Sequence, residues 1–185
     1  SPAMMTKPGI TVSRWIDGVL EKNELIDQNS NLKAVVYWGH APNSQTRGKE
    51  MVEAMKKLDL LVVIDPYPSA TAAMAAMVRQ DGVYLLPACT QYETSGSATA
   101  SNRSLQWREK AIDPLFESKP DHTLMLALAK KFGFDKELAK NYKIIKDKDG
   151  WDEPEPESIL REINRGVWTI GYTGQSPERL KLHMA

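Results

Sequence analysis

The stretch Ala34-Val35-Val36-Tyr37, the loop Trp38-Gly39-His40-Ala41-Pro42-Asn43-Ser44-Gln45-Thr46-Arg47-Gly48 and the run Leu60-Leu61-Val62-Val63-Ile64-Asp65 decide the fold. Two apolar runs of strand length flank a glycine-bearing loop and a helical period, and the second run ends on an acid. An α/β sheet builds a nucleotide site in this order. Ligands sit beyond the carboxyl ends of parallel strands, where loop amides and helix N-termini meet phosphates.

The same alternation continues outward. Residues 48–58 predict a helix with Met51, Ala54, Met55 and Leu58 on one face and Lys49, Glu53, Lys56 and Lys57 elsewhere. The unbroken apolar run 60–64 predicts a strand covered on both sides, as in parallel sheets. Asp65-Pro66-Tyr67-Pro68-Ser69 stops it, and Ser69 or Thr71 caps a helix to about Val78. Asp81-Gly82 makes a turn, and 83–86 is a third strand stopped by Pro87. The spacing fits βαβ units with right-handed crossovers.

Upstream, 11–25 reads as an amphipathic helix through Val12, Trp15, Ile16, Val19 and Leu20. Downstream, 88–102 reads as a long polar loop, and Asp121 caps a helix to Phe132 that Gly133 ends. The expected fold class is α/β: a three-layer, Rossmann-like domain with a mostly parallel sheet over residues 1–145. An irregular C-terminal extension follows over 146–185. It holds a charged turn at 146–150, an extended acidic, proline-rich run at 153–157, a short helix at 158–164 and an aromatic, glycine-bearing tail from Trp168 to Gly174. That extension is expected to pack on the domain or on the remainder of a longer chain.

Composition narrows the function. The 185 residues, 42% of them hydrophobic, suffice for a sizeable core. Lys plus Arg (24) balance Asp plus Glu (24), so no net field draws nucleic acid or an anionic membrane. No apolar run reaches the roughly 18 residues of a membrane span, and no basic region followed by an apolar one marks a secretory signal in this chain. The single cysteine, Cys89, excludes an internal disulfide and a cysteine-rich iron–sulfur site within the chain. His40, His122 and His183 lack ligand spacing, so no metal site is expected.

The polar residues admit two readings each. In the first loop, Gly39 allows close backbone approach, Asn43 and Ser44 supply donors and acceptors, and Arg47 can pair with phosphate. Alternatively this is an ordinary βα loop capped by Ser44 or Thr46. Asp65 can accept from a ribose, or from the N1–H and N2 amine of guanine, or it can form a turn before proline. Glu93, Asn102 and Arg103 offer polar groups in a loop that is otherwise solvated surface. Cys89 is a nucleophile or an inert buried thiol. There is no P-loop, no Gly-x-Ser-x-Gly elbow and no His-Glu-x-x-His, so no catalytic residue is assigned.

Three long motifs carry a resemblance: residues 38–48, the run Val63-Ile64-Asp65-Pro66-Tyr67-Pro68-Ser69-Ala70-Thr71-Ala72-Ala73-Met74, and Glu93-Thr94-Ser95-Gly96-Ser97 through Ala100-Ser101-Asn102-Arg103-Ser104-Leu105-Gln106-Trp107-Arg108. Together they resemble the catalytic alpha subunit of respiratory formate dehydrogenases, within the molybdopterin oxidoreductases related to dimethyl sulfoxide reductase. The likeness implies oxidation of formate to carbon dioxide on molybdenum or tungsten, during anaerobic respiration in the periplasm. The metal is held by two molybdopterin guanine dinucleotides and a cysteine or selenocysteine. It also implies electron transfer to an iron–sulfur beta subunit.

Such subunits are several times longer, and this chain lacks their cysteine cluster and catalytic motifs. An internal fragment is therefore expected, inactive and without cofactor when isolated, whose partners are the rest of the catalytic subunit and the beta subunit. The resemblance places Gly39, Asn43 and Ser44 near a pyrophosphate, Asp65 at the guanosine end, and Glu93, Asn102 and Arg103 beside the cofactor. The competing readings are a free-standing nucleotide-binding module and a subunit-docking domain without redox chemistry.

Overall fold

The computed structural model describes residues 10–20, 30–41, 47–166 and 174–184. The chain forms two compact units, Ser1–Leu86 and Pro87–Ala185.

In the first unit a single 3-10 turn, Val12–Arg14, leads into helix α1, Trp15–Leu20. The helix expected over 11–25 is thus shorter at its start, and 21–25 lie outside the described residues. Strand β1 is Ala34–Trp38, helix α2 Gly48–Lys57, strand β2 Leu60–Asp65, helix α3 Ala70–Val78 and strand β3 Tyr84–Pro87. The sheet is parallel with order β1-β2-β3, and β1 pairs with β2 from Ala34↔Leu60 to Trp38↔Ile64. The α/β class and the central place of β2 agree with the sequence.

Sequential strand order with right-handed crossovers puts successive helices on one face. The main core follows: Trp15, Ile16 and Val19 of α1, Met51, Ala54 and Met55 of α2, and Ala72 and Ala75 of α3 share a cluster with Tyr37, Leu61 and Val63. Burial of the alternate strand positions is uneven. Ile64 is fully buried, whereas Val36 is 49% and Leu60 39% exposed. Coverage on both sides of β2 is therefore partial. Buried Arg79 closes the unit by donating to the carbonyls of Met55 (2.6 Å), Leu58 (2.7 Å) and Gly82 (2.7 Å).

The second unit holds two antiparallel hairpins, β4 (Gly96–Thr99) with β5 (Leu105–Arg108) and β6 (Ile144–Lys146) with β7 (Asp152–Pro154). Its helices are α4 (Asp121–Phe132), α5 (Asp135–Leu138), α6 (Pro156–Gly166) and α7 (Pro177–Lys181). Trp107, Leu160 and Leu180 form its small core.

Several expectations change here. The loop expected over 88–102 contains β4, because Gly96-Ser97-Ala98-Thr99 pairs through its backbone and shows no apolar alternation. Pro120, not Asp121, stands at the N-cap of α4, while Gly133 ends it in the left-handed region as expected. Helix α6 starts at Pro156 rather than Ser158, where proline's missing N–H costs nothing. Position 145, the expected domain boundary, falls inside β6. The tail residues 168–173 lie outside the described residues. No helix among the described residues is long and apolar enough to cross a membrane.

Candidate nucleotide-binding site

The parallel ladder of β1 and β2 carries one bond past its last register pair. The Gly39 N–H donates to the Ile64 carbonyl at 2.9 Å, which sets Gly39 beside Asp65 at the carboxyl ends of the two strands. Gly39 has φ +57°, and a Cβ there would meet no atom within 4 Å. Glycine is therefore favoured here by backbone conformation, and among the described residues no atom crowds its Cα.

Asp65 is half-buried. One oxygen, Oδ1, accepts the Tyr67 N–H at 3.1 Å and closes the turn before α3. Oδ2 has no hydrogen-bond partner among the described residues. The turn-forming and ligand-binding readings of Asp65 are thus compatible, because a carboxylate oxygen in a turn keeps a second lone pair. Ser69 caps α3 as expected, its Oγ accepting from the Ala72 N–H at 3.2 Å.

Asn43 and Ser44 lie outside the described residues. Arg47 corrects an expectation. It stands at the N-cap of α2 with φ 71°, its side chain makes no capping bond, and its guanidinium is already engaged. Nη1 meets Asp17 Oδ1 at 2.6 Å, while Nε and Nη2 meet the Glu50 carboxylate at 2.7 and 3.1 Å. These bonds to Glu50 and Asp17 push the Arg47 pKa up. Asp17 is buried and also receives the Arg14 Nε at 2.9 Å. Burial alone would raise the Asp17 pKa, but Arg47 and Arg14 outweigh it and hold the carboxyl below its ordinary value. Sequence reasoning missed Asp17; its signal was a charge inside the apolar run Trp15-Ile16-Asp17-Gly18-Val19.

In the second unit Glu93 is buried, and its carboxylate accepts the N–H groups of Thr90 and Leu115, both at 2.7 Å, and the Ser118 hydroxyl at 3.4 Å. Desolvation raises its pKa, yet the donors from Leu115 and Thr90 prevail and hold it low. Asn102 and Arg103 occupy the exposed turn between β4 and β5. Asn102 Oδ1 accepts from the Ser104 N–H and hydroxyl, and Arg103 is left-handed at φ 68°.

Cys89 is buried against Ser118, and burial pushes its thiol up to about 11, which suits an inert residue rather than a nucleophile. A cavity of about 240 Å³ borders Glu93, Ser95, Lys110, Lys119 and Asp147. One of its cations, Lys119, is already paired with Asp147 and Asp149 at 2.8 and 2.6 Å. No group of three or more His, Cys, Asp or Glu able to hold a metal occurs among the described residues.

Comparison with known proteins gives this geometry a context. The profile of the molybdopterin oxidoreductase family matches residues 10–131. A trimethylamine-N-oxide reductase of Vibrio cholerae is 34% identical over 142 residues, covering 71% of this chain and 16% of the relative. A Vibrio vulnificus protein of the same name matches to the same extent. A Staphylococcus aureus protein provisionally named a formate dehydrogenase is 35% identical over 128 residues, covering 69% of this chain and 11% of the relative. The chain thus spans a small part of the length of the relatives it matches.

Proposed function

Because the chain belongs to the molybdopterin oxidoreductase family, we propose that Gly39 and Asp65 receive the guanosine diphosphate end of a molybdopterin guanine dinucleotide. The observation that carries this reading is Asp65 Oδ2, without a hydrogen-bond partner among the described residues, beside a left-handed Gly39 at the carboxyl ends of β1 and β2. Guanine offers two donors, N1–H and the N2 amine, to a carboxylate that keeps acceptor capacity on both oxygens. The glycine lets a phosphate approach backbone amides without a side chain intervening. This donor and acceptor set fits the cofactor's nucleotide end. When bound, the pterin-held metal supplies two-electron redox chemistry, and this chain's part is to bind and orient.

For the whole protein we propose formate oxidation, in which formate gives carbon dioxide, a proton and two electrons that pass to an iron–sulfur carrier. The motifs at 38–48, 63–74 and 93–108 support it, as does the Staphylococcus relative. The second reading, reduction of an N-oxide by two electrons and two protons with release of water, is favoured by the Vibrio relatives. Either metal, molybdenum or tungsten, a periplasmic location, an iron–sulfur beta subunit and the rest of the catalytic subunit as partners belong to the same proposal.

Asp65→Asn in the full-length parent tests it. Asparagine keeps the turn to Tyr67 but sets a donor against a guanine donor. We expect guanine dinucleotide content per folded protein to fall roughly tenfold to a hundredfold, with stability almost unchanged. Unchanged content would assign Asp65 to the turn alone.

A further inference from the structure

We infer that Asp17 is a positioning residue for the nucleotide site: through Arg47 it fixes the turn that opens α2 and so sets where the first amides of that helix point. The inference rests on the nucleotide reading of the strand ends.

Asp17 lies within a helix whose neighbours Trp15, Ile16, Gly18 and Val19 are all buried, and it is itself 4% exposed. A lone carboxylate there is strongly unfavourable, and packing alone would be served better by an apolar side chain. What the charge does is visible in its partner. Arg47 is the residue at which loop becomes helix, and it holds a left-handed backbone without being glycine. That conformation is unfavourable for a side chain with a Cβ and persists where surrounding contacts impose it.

The contacts form one chain. Asp17 Oδ1 grips Arg47 Nη1 at 2.6 Å, and the same guanidinium forks onto Glu50 in the first turn of α2. The Arg47 carbonyl then accepts the Met51 N–H at 2.9 Å, the first hydrogen bond of the helix. A bare Arg at a helix N-terminus opposes the macrodipole, and Asp17 and Glu50 cancel that charge. Arg47 is therefore spent on protein carboxylates and does not cap the first amides of α2, which among the described residues are left to meet an anion.

This assignment has an opposite. If Arg47 were a phosphate ligand restrained by Asp17, releasing it would tighten anion binding. If Asp17 positions the turn, releasing Arg47 weakens binding.

The test titrates GDP into the purified chain and its variants Asp17→Asn, Arg47→Met and the double variant, with amide hydrogen exchange on each. Positioning predicts roughly tenfold weaker GDP binding in each single variant. It predicts no further loss in the double variant and partial recovery in Asp17→Glu. Exchange of the Met51 amide should accelerate while the β2 amides from Leu61 to Val63 keep their protection. Unchanged or tighter binding in Asp17→Asn, or additive losses in the double variant, would overturn the inference. If Asp17→Asn does not fold, Arg47→Met, whose side chain is one-third exposed, decides by the same two measurements. If the wild-type chain does not bind GDP, the nucleotide reading falls and this inference falls with it; accelerated Met51 exchange in the variants then reports only that the Asp17–Arg47 pair holds the start of α2.

Discussion

A buried carboxylate persists where donors surround it, and Glu93 has three, the amides of Thr90 and Leu115 and the hydroxyl of Ser118. Glu93→Gln keeps the shape but turns an amide group toward backbone donors. We expect a loss of about 3 kcal/mol, read from urea unfolding. The sign of the pH dependence follows from the lowered pKa. A depressed carboxylate contributes fully above its ordinary value, and the contribution disappears as pH falls through the folded value. Stability of the wild type should therefore fall more steeply in acid than that of Glu93→Gln. Parallel curves would remove Glu93 from this role. Residue placement was only partly legible in sequence. Gly39 and Asp65 stand at the strand ends, where the sequence puts them. The pairing of Arg47 with Asp17 was not legible, because it joins residues 30 positions apart in a way no local pattern encodes.

At the scale of elements, legibility tracked apolar periodicity. Strands β1 and β2 and helices α2, α3 and α4 are written in repeats of apolar residues. The hairpins β4–β5 and β6–β7 are short, and β4 and β7 carry no apolar repeat, so backbone pairing defines them, while Trp107 and Leu105 of β5 pack in the second unit's core. Lys119 pins the β6–β7 turn through Asp147 and Asp149 and lies 5.3 Å from the centre of the Trp151 ring. Lys119→Met should cost about 3 kcal/mol, because Asp147 is left buried without its cation, and Asp147→Asn added to it should restore part of the loss. No recovery would show that the lysine stem, not its charge, matters. Arg79 plays the matching part in the first unit. Arg79→Met strips donors from the carbonyls of Met55, Leu58 and Gly82 and should lower stability by about 2–4 kcal/mol, seen as a lower urea midpoint. An unchanged midpoint would mean water replaces the guanidinium.

For the whole molecule, the α/β class was legible because strand and helix periods alternate across 34–87. The division at Leu86 was not, because no linker composition marks it. The family match supplies the cofactor class, and the proposal places its nucleotide end at the strand ends, where the Gly39 N–H meets the Ile64 carbonyl. Their conjunction is the central claim, and it is tested most directly by titrating GDP and ADP separately into the isotope-labelled chain while following each amide. The account predicts that GDP binds more tightly than ADP and moves the signals of Gly39, Asp65 and Tyr67 first. Equal affinity for the two nucleotides, or shifts that leave those three residues unmoved, would contradict it.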